Sequence, residues 1–184
     1  WSVLNELNSE QPHIFQGLTK RIKIIKVRKV EIHVEDPDLW RGNEAHLIIL
    51  KILFFTGARL AEIAGLKAED ILEDRILIRP NDLRTLKTDC SNREIPLHPR
   101  LKELVFPLRE KEGLLWPSQF QAATCRWGVN LSKPGKLITG VSPKGLRDRA
   151  ATVLRGAGKN EALVVRLLGH TPNWISSEYG AVPW

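Results

Sequence analysis

The stretch SPKGLRDRAATVLRGAG, residues 142–158, determines how the rest of the chain is interpreted. Ser142 is a favourable N-cap, Pro143 suits the first helical position, and glycines follow where the helix would end. The stretch therefore predicts a well-delimited helix. Its charges are unusual, because Lys144 falls in the first turn, where the helix dipole disfavours a cation by about 0.3 to 1 kcal/mol. Arg147, one turn further along, faces the same way.

The segment TGARLAEIAGL, residues 56–66, also places a cation where a helix dipole disfavours it. One apolar helix ends at its Thr-Gly pair and another begins at once, which puts Arg59 at a helix N-terminus. Helix N-termini bind anions, so cations at two such ends become favourable if a phosphate lies beside them. Two simpler explanations stay open: Arg59 could pair with Glu62 at i+3, and Lys144 with Arg147 could belong to a solvated basic face.

Composition is typical of one soluble domain, with 184 residues, 42% hydrophobic and 27% charged. No apolar run is long enough to span a bilayer, and two cysteines are too few for a disulfide framework, which favours a cytosolic setting. The net charge of +7 is unevenly spread. Residues 20–29 hold six cations and no acid, and residues 126–159 hold eight cations against Asp148 alone. Such concentrated positive charge is typical of a surface that binds a polyanion.

The periodicities predict an α+β fold that is mainly α: a helical domain with one small three-stranded antiparallel sheet. We expect an N-terminal extension or linker over residues 1–40 and a folded domain over residues 41–184. The predicted strands are 75–80, 84–89 and 93–97. The predicted helices are 42–55, 60–66, 99–106, 118–131, 142–156 and 160–168, with a last short one after Thr171-Pro172 that carries Tyr179.

Five segments resemble, in order and spacing, the boxes of the tyrosine recombinase (phage integrase) family. They are TGARLAEIAGLKAEDI (56–71), LKTDCSNREIPL (86–97), LLWPS (114–118), PKGLRDRAATVLRGAG (143–158) and VVRLLGHTPNWISSEYG (164–180). The resemblance implies a domain that cleaves and rejoins DNA. In it Tyr179, the only tyrosine of the chain, would attack a phosphate and form a 3′-phosphotyrosyl link. A phenol with a pKa near 10 needs activation for this, and a cationic pocket would supply it.

The resemblance also implies roles for the other site residues. Arg59 and Arg147 would clamp the phosphate oxygens, and Glu62 would hold Arg59. Lys87 would protonate the departing 5′-oxygen. His170 would bind the phosphate and assist proton movement.

Lys144 departs from the family, which most often has His at that position. Lysine occurs there in a subset that includes integrases of archaeal viruses, to which this chain could be closest. With an ordinary pKa near 10.4, Lys144 would donate to the phosphate but would be a poor general base. His170 is therefore the better acceptor for the Tyr179 proton.

The expected partner is double-stranded DNA, bound by a homotetramer during recombination and by a protein that could be monomeric alone. Predicted DNA contacts are Lys20, Arg21, Lys23, Lys26, Arg28, Lys29 and Arg149. No metal, cofactor, ATP or membrane is expected, since no acidic cluster or phosphate-binding glycine loop is recognisable. The host cytoplasm or nucleoid is the expected location. Two alternatives remain: a type IB topoisomerase-like or telomere-resolving enzyme, and a non-catalytic DNA-binding protein of the same fold.

Overall fold

The computed structural model describes residues 33–86 and 89–170. These residues form six α-helices and two small antiparallel sheets, joined by short 3-10 turns. The helices are α1 (Glu44–Thr56), α2 (Leu60–Ala64), α3 (Pro99–Val105), α4 (Ser132–Thr139), α5 (Pro143–Gly156) and α6 (Glu161–Leu168). The predicted mainly helical class is confirmed. No helix of the described ranges combines the length and apolarity that crossing a bilayer requires.

Helix α1 is the centre of the core. It is apolar on nearly all sides, and α2, α3, α4 and α5 pack around it. Asn43 begins it as N-cap by accepting from the His46 N–H at 3.2 Å, and Gly57 ends it with a left-handed φ of 64°. Its fully buried side chains are Ile49, Leu50, Ile52 and Leu53. Since α1 touches so many elements, its C-terminus is a fixed point for the site described below.

The larger sheet pairs β1 (Arg75–Ile78) with β2 (Arg93–Pro96). Burial alternates along both strands, so that Ile76 and Ile95, directly opposite each other, face the core. Arg93 lies on the same buried face of β2 as Ile95. The smaller sheet pairs β3 (Phe120–Gln121) with β4 (Arg126–Trp127).

The prediction of one three-stranded sheet is wrong, because the middle strand, residues 84–89, does not form in the part of that segment that is described. Residues 81–84 make a tight turn instead: the Asn81 N–H donates to the Arg84 carbonyl at 2.9 Å and the reverse bond is 3.1 Å. The Arg84 side chain is buried and donates to the main-chain carbonyls of Glu62 and Arg79. The bond to Glu62 ties this turn to α2.

The predicted helix over residues 118–131 is also wrong. The segment contains β3, β4 and 3-10 turns, because Cys125 and Gly128 adopt left-handed φ values of 48° and 69° that no continuous helix accommodates. Trp127 is buried and its indole N–H donates to the Leu83 carbonyl at 3.1 Å. Helix α4, which follows, was not predicted.

The remaining predicted helices are confirmed within a few residues of their bounds, including the Ser142-Pro143 start of α5 and the Gly169 end of α6, where φ is 64°. The predicted last helix and the N-terminal extension fall on residues that lie mostly or wholly outside the described ranges.

Candidate functional site

Three helix ends surround a cavity of about 450 Å³: the N-termini of α2 and α5 and the C-terminus of α6. The charged and titratable side chains that line it are Arg59, Lys144, Arg147, Asp148 and His170. Four of the six predicted catalytic residues are therefore brought together, although they are spread over more than a hundred positions of sequence. With one carboxylate among three cations and a histidine, the cavity is electropositive.

Arg59 is held by its neighbours on several sides. It is the N-cap residue of α2, and its own N–H donates to Glu62 Oε2 at 2.8 Å. Its guanidinium donates to Glu62 Oε1 at 2.7 Å, to Ser91 Oγ at 2.8 Å and to the Gly169 carbonyl at 2.7 Å. A quarter of the side chain remains exposed at the cavity. The i+3 ion pair anticipated as a simpler explanation thus exists, and it orients the guanidinium without removing it from the cavity.

Arg147 lies one turn into α5 and is buried. Its Nη1 donates to the Gly57 carbonyl at 2.8 Å and its Nη2 to the Leu168 carbonyl at 2.6 Å, which joins the ends of α1 and α6. Burial, and next the nearby charge of Arg59, lower the pKa of Arg147 to about 10. An anion that enters the cavity would therefore stabilise the charged form of Arg147.

His170 is the first residue after the Gly169 cap of α6, and its N–H donates to the Val165 carbonyl at 3.0 Å. Although the residue is exposed, partial desolvation of the ring, then the charges of Arg147 and Arg59, lower the pKa of its imidazole below the ordinary 6.5. His170 is therefore neutral at pH 7 and can accept a proton or a hydrogen bond. Lys144, exposed in the first turn of α5, lines the same cavity.

Sequence reasoning missed Arg93, which lies behind the cavity. Its buried guanidinium donates to both carboxylate oxygens of Glu62, at 2.9 and 3.2 Å, and to the carbonyls of Ser91 at 2.9 Å and Leu167 at 2.8 Å. A signal existed, because Arg93 lies two positions before the apolar Ile95 in β2 and so belongs to the same inward face of the strand.

The carboxylate of Glu62 accepts hydrogen bonds from both Arg59 and Arg93. Its burial works to raise the pKa of the carboxyl, but hydrogen bonds and charge from Arg93, followed by those from Arg59, outweigh that effect and leave the pKa below its ordinary value. Glu62 is thus ionised at neutral pH and holds both arginines.

Arg149, predicted to contact DNA, does not line the cavity. Its guanidinium lies 3.8 Å from the centre of the Phe54 ring, and burial lowers its pKa. Lys87, Tyr179 and the six basic residues between positions 20 and 29 lie outside the described residues. Ser91, four positions after Lys87, is a partner of Arg59, and His170 precedes Tyr179 by nine positions. Over residues 33–86 and 89–170, no group of three His, Cys, Asp or Glu side chains is arranged to hold a metal ion.

No protein-family model matches the sequence, and no curated protein is similar to it. Among solved structures, the Tn1549 transposon integrase in complex with circular intermediate DNA matches with a TM-score of 0.51 and 17% identity, over 80% of this chain and 60% of that one. The XerH site-specific recombinase bound to difH substrate matches with a TM-score of 0.53 and 24% identity, over 74% of this chain and 43% of that one. XerA recombinase matches with a TM-score of 0.50 and 23% identity, over 71% of this chain and 49% of that one.

These structural neighbours are one integrase and two recombinases, and at such low identity the likeness concerns the fold alone. The chain spans about three fifths or less of the length of the three neighbours.

Proposed function

We propose that residues 41–184 are the catalytic domain of a site-specific DNA recombinase or integrase that cleaves and rejoins DNA through a 3′-phosphotyrosyl intermediate. The observation that carries the proposal is the convergence of Arg59, Arg147, Lys144 and His170 on one cavity between three helix ends. Helix N-termini and guanidinium groups both favour a phosphate oxyanion, so a phosphodiester is the ligand that this combination suits best.

In the proposed reaction, the Tyr179 oxygen attacks the scissile phosphorus, and the bond from phosphorus to the 5′-oxygen breaks. The extra negative charge of the five-coordinate transition state is stabilised by Arg59 and Arg147, which are already oriented by Glu62 and by main-chain carbonyls. His170, neutral at pH 7, accepts the phenolic proton, and Lys87 donates a proton to the leaving 5′-oxygen. Rejoining is the reverse, and the covalent link conserves the energy of the broken bond, so ATP is not required.

Double-stranded DNA is the proposed partner, which the DNA-bound neighbours and the concentrated basic charge support. The basic residues at positions 20 to 29 would track the phosphate backbone. A tetramer of protomers would be needed to exchange strands between two duplexes. The presence of Lys144 instead of His supports a relationship to integrases of archaeal viruses, and integration of a viral genome would then be the biological role.

Covalent trapping tests the proposal. The protein is mixed with labelled nicked or supercoiled DNA, quenched with detergent and examined for an adduct that survives denaturation. Because Tyr179 is the only tyrosine, phosphotyrosine recovered by hydrolysis of the adduct identifies the nucleophile without peptide mapping. The adduct is expected with the wild type and absent with Tyr179→Phe.

The alternatives give different results in the same assay. Relaxation of supercoils on DNA of any sequence would favour the topoisomerase-like function. DNA binding that is equal in wild type and Tyr179→Phe, with no adduct on any substrate including candidate attachment sites, would overturn the proposal in favour of a binding protein.

A further inference from the structure

Three successive main-chain carbonyls at the end of α6 are each bound by a different arginine. Arg93 donates to Leu167 at 2.8 Å, Arg147 to Leu168 at 2.6 Å and Arg59 to Gly169 at 2.7 Å. The last carbonyls of a helix lack intrahelical partners and carry the negative end of the helix dipole, so guanidinium groups suit them well. The three arginines come from β2, α5 and the start of α2, which fixes α6 to three separate elements.

Arg93 differs from the other two arginines because it does not line the cavity. Its side chain is only 3% exposed, and it also binds the Glu62 carboxylate that holds Arg59. One planar fork therefore joins the end of α6 to the carboxylate that orients Arg59. Lysine, with a single charged nitrogen, cannot reproduce these contacts.

The backbone of Gly169 lies close against the guanidinium of Arg93. Its φ of 64° is left-handed, and a Cβ at this position would lie 2.6 Å from Arg93 Nη1 and 2.9 Å from its Cζ. Glycine is thus required both by the backbone and by the guanidinium that lies against it. This close approach places Arg93 directly beside the point where the chain turns into His170.

Building on the proposed function, we infer that Arg93 is a positioning residue of the cleavage reaction: by joining Leu167 and Glu62 it fixes His170 relative to Arg59. Phosphate binding itself does not need Arg93, because Arg59 and Arg147 supply the guanidinium groups at the cavity. Arg93 acts on the geometry between His170 and the cavity arginines.

The test compares Arg93→Lys and Arg93→Gln with the wild type, and Arg75→Gln serves as matched control. Arg75 lies on the partner strand β1 and makes only exposed ion pairs with Asp74 and Glu94. At saturating DNA, both Arg93 variants are expected to form the covalent adduct about ten- to a hundredfold more slowly, because small misplacements of reacting groups cost that much. Their affinity for DNA should stay within about threefold of the wild type, since the phosphate-binding arginines are retained. The control should change the rate by no more than about twofold.

NMR titration of His170 gives a readout that does not depend on cleavage. Desolvation is the largest cause that lowers the pKa of His170. The charges of four arginines follow, in the order Arg147, Arg59, Arg155 and Arg93. The positive charge of His170 in turn lowers the pKa of the Glu161 carboxyl. Arg93→Gln removes one cation and is expected to raise this pKa, whereas Arg93→Lys keeps the charge and is expected to move the His170 resonances by displacement.

Adduct rates and His170 resonances that match the Arg75→Gln control in both variants would overturn the inference. A parallel loss of DNA affinity and rate would also overturn it, because Arg93 would then belong to binding. If Arg93→Gln does not fold, Arg93→Lys decides alone. If the wild type forms no adduct, the proposed function fails, and the His170 resonances in Arg93→Lys still decide whether Arg93 positions this residue.

Discussion

Replacing Glu62 by Gln tests whether the arginine cluster depends on one carboxylate. The carboxylate accepts from the Arg59 N–H at 2.8 Å, from Arg59 Nη1 at 2.7 Å and from Arg93 at 2.9 and 3.2 Å, and the residue is only 4% exposed. Gln keeps the shape but removes the charge, and it turns one acceptor into an NH₂ group that faces N–H donors. The buried cation of Arg93 then loses its counter-charge.

The expected cost follows from the burial of the pair. Removing one partner of a buried ion pair lowers the free energy of unfolding by about 3 to 5 kcal/mol, because the other charge stays in a medium of low polarity. Arg93 supplies most of this cost at 3% exposure, whereas Arg59, a quarter exposed, is partly solvated. For a domain of this size, the midpoint of thermal unfolding should fall by about 6 to 20 °C.

Urea unfolding followed by circular dichroism measures the loss, and Glu94→Gln is the matched control. Glu94 accepts from Arg75 at 2.6 Å in an ion pair whose glutamate is about half exposed, so its loss should cost at most about 1 kcal/mol. A Glu62→Gln cost within 1 kcal/mol of the control would refute the reasoning.

The pH dependence of the loss adds a second check. Because the pKa of Glu62 in the folded protein lies below its ordinary value of 4.5, its contribution is complete above that pH. The contribution is lost as the pH falls through the folded pKa, so the gap between wild type and Glu62→Gln should narrow in acid.

Three further predictions concern the cavity and its frame. Sulfate should raise the midpoint of thermal unfolding more in the wild type than in Arg147→Gln, because sulfate bound in the cavity stabilises the wild type whereas its general salting effect acts on both proteins. Gly57→Ala should destabilise the fold by about 1 to 3 kcal/mol in urea, since the residue has a φ of 64° and an added Cβ would lie 2.8 Å from the Leu168 side chain. Because the pKa of His170 is lowered in the folded state, adduct formation should be lost only below pH 6.5. The free energy of unfolding should also fall there, since the unfolded state binds more protons. NMR titration and the pH–rate profile of the wild type check these expectations, and a loss of rate that begins above pH 6.5 would contradict the role of His170.

Helices whose ends are marked by capping residues could be predicted from sequence. Ser142 caps α5 by accepting from the Gly145 N–H at 3.1 Å, and Gly169 ends α6 in the left-handed region. Both signals are local, so they survive folding unchanged. The co-location of Arg59, Lys144, Arg147 and His170 could be anticipated only through the resemblance to a family, because nothing local brings those residues together.

The wrong predictions, by contrast, arise where contacts with distant parts of the chain decide the local structure. The strand predicted at 84–89 gave way to the buried bonds of Arg84 to the Glu62 and Arg79 carbonyls, and the helix predicted at 118–131 gave way in part to the bond from Trp127 to Leu83, 44 residues earlier. Cys125 contributes a left-handed backbone that its residue type does not announce. Such long-range contacts outweigh helix and strand propensities of a few tenths of a kcal/mol.

The ion pairs of Arg75 and Arg100 differ in burial from those at the end of α6, and the contrast bears on function. Those of Arg75 and Arg100 are exposed and contribute little to stability. At the end of α6, by contrast, three guanidinium groups bind successive main-chain carbonyls, and only two of them, those of Arg59 and Arg93, pair with the buried carboxylate of Glu62. Burial lowers the pKa of the third, Arg147, to about 10. Replacing a buried ion pair with apolar residues of similar volume is often neutral or stabilising, so stability alone is a weak explanation for these charges. The proposed function accounts for this arrangement, because a phosphodiester in the open cavity would relieve the excess positive charge that folding confines there.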